Sequence, residues 1–137
     1  MTAYMGIFAE QEPFDIGLDD AGRPQFSFNV LAHSRPSPSF VADVVTLLVD
    51  AAVGVRGTTL FESSAAPLPS NDSPVAFLHV RTTGGLAPVG THNDGPTAYR
   101  RPSAIVIATA RTSAAAEALA LAAYNALAAQ RNVQVSA

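Results

Sequence analysis

The segment that decides the fold is residues 99–131, YRRPSAIVIATARTSAAAEALALAAYNALAAQR. Its first half, Ser103–Ala110, is centred on an Ile-Val-Ile run, and a β-branched apolar run of this kind predicts a strand that is buried on both faces. Pro102 stands just before it, which is allowed where a strand begins or lies at an edge. The segment therefore starts as a strand and passes through a tight turn into a helix.

The second half of the segment predicts one long helix that begins near Thr112 or Ser113. Either hydroxyl can accept a hydrogen bond from a free N–H group of the first turn, and Glu117 lies near the positive end of the helix dipole. Leucine and tyrosine spread over about half of the circumference, and alanine fills the remainder. Because alanine allows a neighbour to approach closely, these faces raise the hypothesis that the helix packs against another subunit.

The composition indicates a single domain whose main partner is not nucleic acid. A chain of 137 residues buries roughly two-thirds of its unfolded surface. Charged residues make up 14% of the chain and the net charge is −3, so no broad basic field forms. All eight basic residues are arginine. Without cysteine there is no disulfide, no thiol nucleophile and no cysteine-ligated metal.

The sequence contains no pattern of a membrane protein. No segment approaches the roughly 18 apolar residues that a membrane-spanning helix needs. The N-terminus lacks a basic patch followed by a long apolar run. We therefore expect a soluble protein that stays in the cytoplasm and has no membrane partner.

Residues 1–31 predict a β-hairpin. Apolar and polar residues alternate in 14–18 and again in 26–30, and turn-forming residues lie between them. An isolated two-stranded ribbon is barely stable in water, so the hairpin either folds on the chain's own sheet or reaches across to a neighbour as an arm. Two prolines in residues 34–38 predict an extended linker. We therefore interpret residues 1–38 as an arm with its linker, and residues 39–137 as the main domain.

The middle of the chain predicts a second helix and further strands. The helix begins at Phe40 and has apolar residues at helical spacing until Gly54. Strands are predicted at 58–62, 75–82 and 133–135, and the glycines and prolines of 83–101 predict a long flexible loop. The predicted fold class is α/β (α+β), with a small, mostly antiparallel sheet, two principal helices packed on it and an N-terminal β-hairpin extension.

Three residues, His79, His92 and Asp94, have side chains that suggest chemistry. A metal site needs three or four ligands, and His92 with Asp94 supplies at most two. The G-x-S-x-G turn of a serine hydrolase is missing, and the glycines at 84–85 lack the Lys and the Ser or Thr of a phosphate loop. The sequence therefore predicts no catalytic residue, no metal and no cofactor.

Tyr99, Arg100 and Arg101 stand where the predicted loop meets the strand. Tyrosine and arginine often anchor protein interfaces, so these residues form a candidate contact site. The alternative is an ordinary solvated loop end, where exposed charges contribute little. The full set of predicted interface residues is Tyr99, Arg100, Arg101, Arg81, Arg111, Phe26 and Phe28.

A series of short motifs runs from the first helix to the last. In order they are Val53-Gly54-Val55, Thr58-Thr59 leading into Leu60-Phe61, Leu68-Pro69, Thr83-Gly84-Gly85, Tyr99-Arg100-Arg101-Pro102, Arg111, and an A-x-x-x-A-x-x-x-Y-x-x-L helix within 115–127. With this order and spacing, residues 40–133 resemble the tail-terminator or minor capsid (tail-completion) proteins of long-tailed bacteriophages.

The resemblance implies a structural virion protein and not an enzyme. Six copies would form a homo-oligomeric ring that caps the tail tube, ends its polymerisation and joins it to the head-neck connector. The implied partners are further copies of the chain, the tail tube protein and a head-completion or stopper protein of the neck. DNA would pass through the ring lumen without specific binding. The implied location is the head–tail junction of the virion, after assembly in the host cytoplasm.

Two other functions remain open. One is another neck component, such as a head–tail stopper or tail-completion protein, which would occupy a different layer. The other is a small cytoplasmic oligomeric ligand-binding protein or enzyme. A deep pocket containing His79 or His92 would favour this last function, and a flat ring interface with an open lumen would favour the tail.

Overall fold

The structure is a computed structural model that describes residues 2–19, 21–34, 40–62, 76–83, 86–91, 95–128 and 130–135. These residues form nine strands and two helices. In chain order they are β1 (Thr2–Ala9), β2 (Phe14–Leu18), β3 (Pro24–Ser34), α1 (Phe40–Asp50), β4 (Leu60–Glu62), β5 (Ala76–Thr82), β6 (Leu86–Thr91), β7 (Gly95–Arg101), β8 (Ser103–Ala110), α2 (Ser113–Leu127) and β9 (Gln130–Val135). The predicted α+β class is confirmed.

The main sheet has the strand order β4-β5-β8-β3-β1-β9. The β4 and β5 strands are parallel, and every other neighbouring pair in this order is antiparallel. The 11 residues of β3 pair with β8 along one edge, and with β2 and then β1 along the other. The longest strand is therefore also a central one, and four other strands, β1, β2, β7 and β8, pair with it.

Both helices pack on the same face of this sheet. The α2 helix lies over β3 and β8, and α1 lies beside it over β4 and β5. Three alanines of α2 (Ala116, Ala120, Ala123) are buried, which lets the helix backbone approach the sheet closely. The core between the layers contains Ile7, Phe28, Val30, Val44, Leu48, Leu60, Leu78, Val80, Val106 and Leu127, all at most 1% exposed.

The ends of the two helices follow from local chemistry. Thr112 is the N-cap of α2, and its hydroxyl accepts a hydrogen bond from the Ala115 N–H at 3.2 Å. The α1 helix ends at Asp50, before the predicted stop at Gly54, because Ala52 adopts a left-handed conformation with φ 58°. The Ala52 N–H then bonds to Val49 O and the Val53 N–H to Leu48 O, each at 3.0 Å, which is the Schellman arrangement.

The predicted N-terminal hairpin is confirmed, because β2 and β3 pair antiparallel. Of the two arrangements left open for it, the structure has the one within the chain. The β3 strand pairs with β8 of the same chain from Gln25↔Thr109 to Leu31↔Ser103, so the hairpin folds on the chain's own sheet. Residues 2–9 also form a strand, β1, that the sequence pattern did not predict.

The region 83–101, predicted as a long flexible loop, contains the strands β6 and β7. These strands pair antiparallel from Leu86↔Arg101 to Thr91↔Gly95, with two register shifts. They continue the pairing of β5 with β8, which runs from Ala76↔Ala110 to Thr82↔Ala104. The pairing of β5 with β8 therefore extends into β6 and β7, whose residues have low strand propensity. We call β6 and β7 together the distal ribbon.

Candidate protein interface

The face of the main sheet that the helices do not cover is called here the helix-free face. Successive side chains of a strand point to opposite faces, so each strand sends every second residue to this side. Ile105 and Ile107 of β8 therefore lie opposite to the core residue Val106. The helix-free face is made by Phe8, Ser27, Asn29, Leu31, His33, Phe61, Phe77, His79, Arg81, Arg101, Ser103, Ile105, Ile107 and Thr109.

The helix-free face carries apolar and polar residues, and its exposure differs from strand to strand. Ile105 lies opposite Arg81 on one neighbouring strand and opposite Asn29 on the other. Phe8 lies opposite Leu31. Phe8 is 40% exposed, whereas Leu31 and Ile105 are half-buried. The Phe8 side chain is therefore partly in contact with solvent on β1, the second strand from the β9 edge of the sheet.

The Phe8 ring is held over the sheet by its neighbours. It contacts the His33 ring edge-to-face, with the ring centroids 5.8 Å apart. It also lies above Gly6, where an added Cβ would stand only 2.4 Å from Phe8 Cζ. A glycine at position 6 is therefore what allows Phe8 to lie flat along this face.

The end of the helix-free face near β4 is better covered. The Phe61 and Phe77 rings pack edge-to-face at 5.8 Å, and the Arg23 guanidinium lies 5.2 Å from the centroid of the Phe77 ring. Arg23 is held in place by Asp19, whose Oδ2 accepts from Arg23 Nε at 2.8 Å and lies 2.7 Å from Nη2. This end is an aromatic cluster that an ion pair covers.

Two titratable groups here respond to these surroundings. Burial raises the pKa of Asp19, but hydrogen bonds and the charge from Arg23 outweigh this effect and hold the pKa below its ordinary value of 3.8. Burial, with the positive charge of Arg81, lowers the pKa of His79 below 6.5. The Ser27 hydroxyl is also buried and has no hydrogen-bond partner within the described part of the chain.

The predicted interface residues separate into groups. Arg81, which is exposed, and Arg101, which is half-buried, lie on the helix-free face. Arg111 is exposed at the junction of β8 and α2. Tyr99 and Arg100 lie in the distal ribbon, where their backbones are opposite Val89 and Ser34.

The two phenylalanines of that set lie on the other side of the sheet. Phe28 is fully buried and packs edge-to-face against Tyr124 at 5.7 Å, so it is a core residue and not a surface contact. Phe26 is partly buried against the same core. The alternation in β3 predicted these residues to share a face, but it could not predict that helices cover that face.

The outer face of α2 is the second candidate surface. Residues on the side of α2 turned away from its buried alanines are exposed, and Leu121 is 39% exposed. We define the α2 outer face as Ala114, Glu117, Ala118, Leu121, Ala122 and Asn125. Packing of these residues against another subunit stays a prediction.

The remaining candidates for chemistry do not come together in the described residues. His92, Asp94 and the glycines at 84–85 lie outside them. No group of three or more His, Cys, Asp or Glu that could hold a metal occurs in the part of the chain that the structure describes. Within the same residues, no helix has both the length and the apolar character needed to cross a membrane.

Comparisons with known proteins found no relative of this chain. No protein-family model, no curated protein and no solved structure matches this chain. Inferences about function therefore rest on the surfaces of the sheet and of α2 and on the order of the sequence motifs.

Proposed function

We propose that this protein is a tail terminator of a long-tailed bacteriophage. Its copies form a ring that caps the tail tube, ends its polymerisation and joins it to the neck. The resemblance implies six copies in this ring. The observation that carries the proposal is the distal ribbon. In this function the protein needs no cofactor, and its role is structural and not enzymatic.

The distal ribbon is suited to contact with a neighbouring layer of an assembly. The β3 strand reaches β7 at Ser34↔Arg100, and beyond this pair β6 and β7 pair only with each other among the described residues. Their outer edges therefore offer backbone N–H and C=O groups to a strand of another protein. A two-stranded ribbon is also barely stable alone, so a partner would stabilise it.

Termination would follow from geometry. A ring with one surface that matches the end of a tube binds that end, and a different opposite surface blocks further subunits. Each contact can be weak, because several copies that bind together multiply modest affinities. The partners are other copies of this chain, the tube protein and a stopper or head-completion protein, and the location is the head–tail junction.

The experiment that tests this proposal is electron microscopy of phage particles. An epitope tag on this protein is labelled with gold, and particles made without the protein are imaged beside the tagged ones. We expect label at the head–tail joint and overlong tails without heads in its absence. A tagged, unaltered particle of normal tail length is the matched control.

Two results would contradict termination. Label at the joint with normal tail length in particles that lack the protein would indicate another neck component, such as a stopper. No label on the virion would remove the protein from the tail and favour an oligomeric ligand-binding protein or enzyme.

A further inference from the structure

The strand β2 is exposed along its whole length and carries three large apolar side chains. Phe14, Ile16 and Leu18 are 47%, 39% and 67% exposed, and the two residues between them are exposed as well. Within the described part of the chain β2 pairs only with β3, so its other edge pairs with no strand there. An exposed apolar edge of this kind is a site where another strand can add.

The backbone of Leu18 points its hydrogen-bonding groups toward this open edge. The Asp19 N–H donates to Arg23 O at 2.9 Å, so these two residues form a hydrogen-bonded pair. Pairs of this kind alternate with pairs whose N–H and C=O groups point away from each other. Leu18↔Pro24 is the next pair, and Pro24 has no N–H to donate. The N–H and C=O of Leu18 therefore point to the outer edge of β2.

Local hydrogen bonds hold β2 and its turn in place before any partner binds. Asp15 Oδ1 accepts from the Gly17 N–H at 2.7 Å, beside the register shift between β2 and β3. Asp19 accepts from the backbone N–H groups of Ala21 and Arg23 and also from the Arg23 guanidinium. An edge that is already extended loses little conformational entropy when a strand pairs with it.

The charges around β2 select the chemistry of the partner. Residues 1–22 contain five carboxylates and no Lys, Arg or His. Glu10, Glu12 and Asp15 are exposed, whereas the carboxylate of Asp19 is already in an ion pair. Pairing with β2 of a second copy would bring the exposed carboxylates of both copies to one shared edge, where like charges are destabilising. The charges therefore favour a partner strand that carries Arg or Lys.

The two sides of β2 differ, which sets the order of residues in the partner. Phe14 lies opposite Ser27, on the helix-free face. Asp15 lies opposite Phe26, on the side of the sheet that the helices cover. The side chains of an added strand also alternate between the two faces, so residues beside Phe14 are apolar and residues beside Asp15 are basic. Apolar and basic residues therefore alternate in a segment that fits this edge.

We infer that the open edge of β2 binds an extended segment of another protein in which apolar and basic residues alternate. The segment adds to the sheet as a strand beside β2. Its apolar side chains pack on Phe14, and its Arg or Lys side chains lie near the carboxylates of Glu12 and Asp15. The inference goes beyond the proposed function, because β2 is a contact surface separate from the distal ribbon and its binding is measured on the purified chain.

Binding of synthetic peptides to the full chain tests the inference. A fluorescent peptide of about eight residues in which Arg and Val alternate is titrated with the chain, and fluorescence anisotropy measures the dissociation constant. A peptide in which Glu and Val alternate should bind at least about tenfold more weakly. The Arg and Val peptide with every backbone amide N-methylated cannot donate hydrogen bonds to β2, and it should also bind at least about tenfold more weakly.

Two variants of the chain locate the binding at β2. Leu18→Pro removes an N–H that points outward, so the fold should persist while the affinity for the Arg and Val peptide falls by about tenfold or more. Glu12→Lys should lower this affinity by about threefold or more. The matched control is Asp50→Lys, an equal change of charge at an exposed position on α1, which packs over β4 and β5. It should change the affinity by less than about twofold.

Several results would overturn the inference. They are no binding of the Arg and Val peptide, equal binding of the Glu and Val peptide or of the N-methylated peptide, and unchanged binding to Leu18→Pro. A dimer of the wild type that Leu18→Pro abolishes would identify a second copy as the partner and overturn the choice of a basic strand. Circular dichroism verifies that each variant is folded. If Leu18→Pro does not fold, an affinity of Glu12→Lys equal to that of Asp50→Lys would overturn the inference.

Discussion

Arg23 and Asp19 form a nearly buried ion pair in which one carboxylate binds three N–H groups of one residue. The side chains of the two residues are only 10% and 15% exposed. Asp19 Oδ2 accepts from the Arg23 guanidinium, and Asp19 Oδ1 accepts from the Arg23 backbone N–H at 2.8 Å. The pair closes the turn between β2 and β3 and places the guanidinium over Phe77. It therefore joins the N-terminal hairpin to the far strands of the sheet.

This pair gives the first prediction. Replacing Asp19 by Asn leaves a hydrogen-bond acceptor but removes the charge, and we expect a loss of about 1–3 kcal/mol in the free energy of unfolding at neutral pH. Urea denaturation measures the loss. Glu12→Gln, at an exposed position in the same part of the chain, should change the free energy by less than about 0.5 kcal/mol.

The same substitution predicts a dependence on acid pH. Because the pKa of Asp19 is lower in the folded chain, the charged carboxylate stabilises the fold above its unfolded pKa of about 3.9, and this stabilisation is lost as the pH falls through the lower folded value. The wild type and Asp19→Asn should therefore approach each other in stability at acid pH. A difference in stability between the wild type and Asp19→Asn that stays constant down to acid pH would contradict this explanation.

His79 predicts a second pH dependence at higher pH. Its pKa is lowered in the folded chain, so the neutral form stabilises the fold above about 6.5, and this stabilisation is lost as the pH falls through the lower folded value. The groups opposite it on β4 and β8 are the uncharged Phe61 and Ile107, and Arg81 is the nearby charge.

Two substitutions test this cause. In urea denaturation at about pH 7.5 and about pH 5.5, His79→Gln should lose less stability on acidification than the wild type. Arg81→Gln should show an intermediate loss, because it removes the repulsion but leaves the burial. Equal losses in His79→Gln and the wild type would exclude His79 as the source.

Ala52 predicts a stabilising substitution. It occupies the left-handed position that ends α1, with φ 58°, where an L-residue with a Cβ is strained and glycine is not. We expect Ala52→Gly to raise the free energy of unfolding by about 1 kcal/mol. The matched control is Ala51→Gly, one residue earlier, which should lower stability by about 0.5–1 kcal/mol. Equal destabilisation by both would show that Ala52 is not strained.

The alanines of α2 predict opposite outcomes on its two sides. Ala120 is 1% exposed against the sheet, so Ala120→Leu should overpack the core and cost about 1–3 kcal/mol. Ala118 is exposed, so Ala118→Leu should leave the stability of the monomer nearly unchanged. Thermal melting of dilute protein compares the two variants. A similar loss in both would mean that the outer face of α2 is covered within the chain.

Much of the local structure could be predicted from sequence, but only part of the candidate interface could. Arg81 and Arg101 were predicted as interface residues, and both lie on the helix-free face, although their contact with a partner stays a prediction. Phe8 was missed, because residues 2–9 show no clear alternation and were not predicted as a strand. Phe28 was predicted as a contact, but it is a core residue.

The sequence by itself determined the elements whose signals are short-range. The Ile-Val-Ile run specified β8, Thr112 specified the start of α2, and alternation around a turn specified the pairing of β2 with β3. Propensity, capping and periodicity act within a few residues, so they can be read along the chain.

Only the tertiary structure decided which strands are neighbours and which face each helix covers. It placed β3 beside β8, extended the β5 and β8 ladder into the distal ribbon, and put both helices on one side of the sheet. These features depend on contacts between residues far apart in the chain, which a local pattern does not encode. The face of the sheet that neither helix covers is a consequence of that long-range packing.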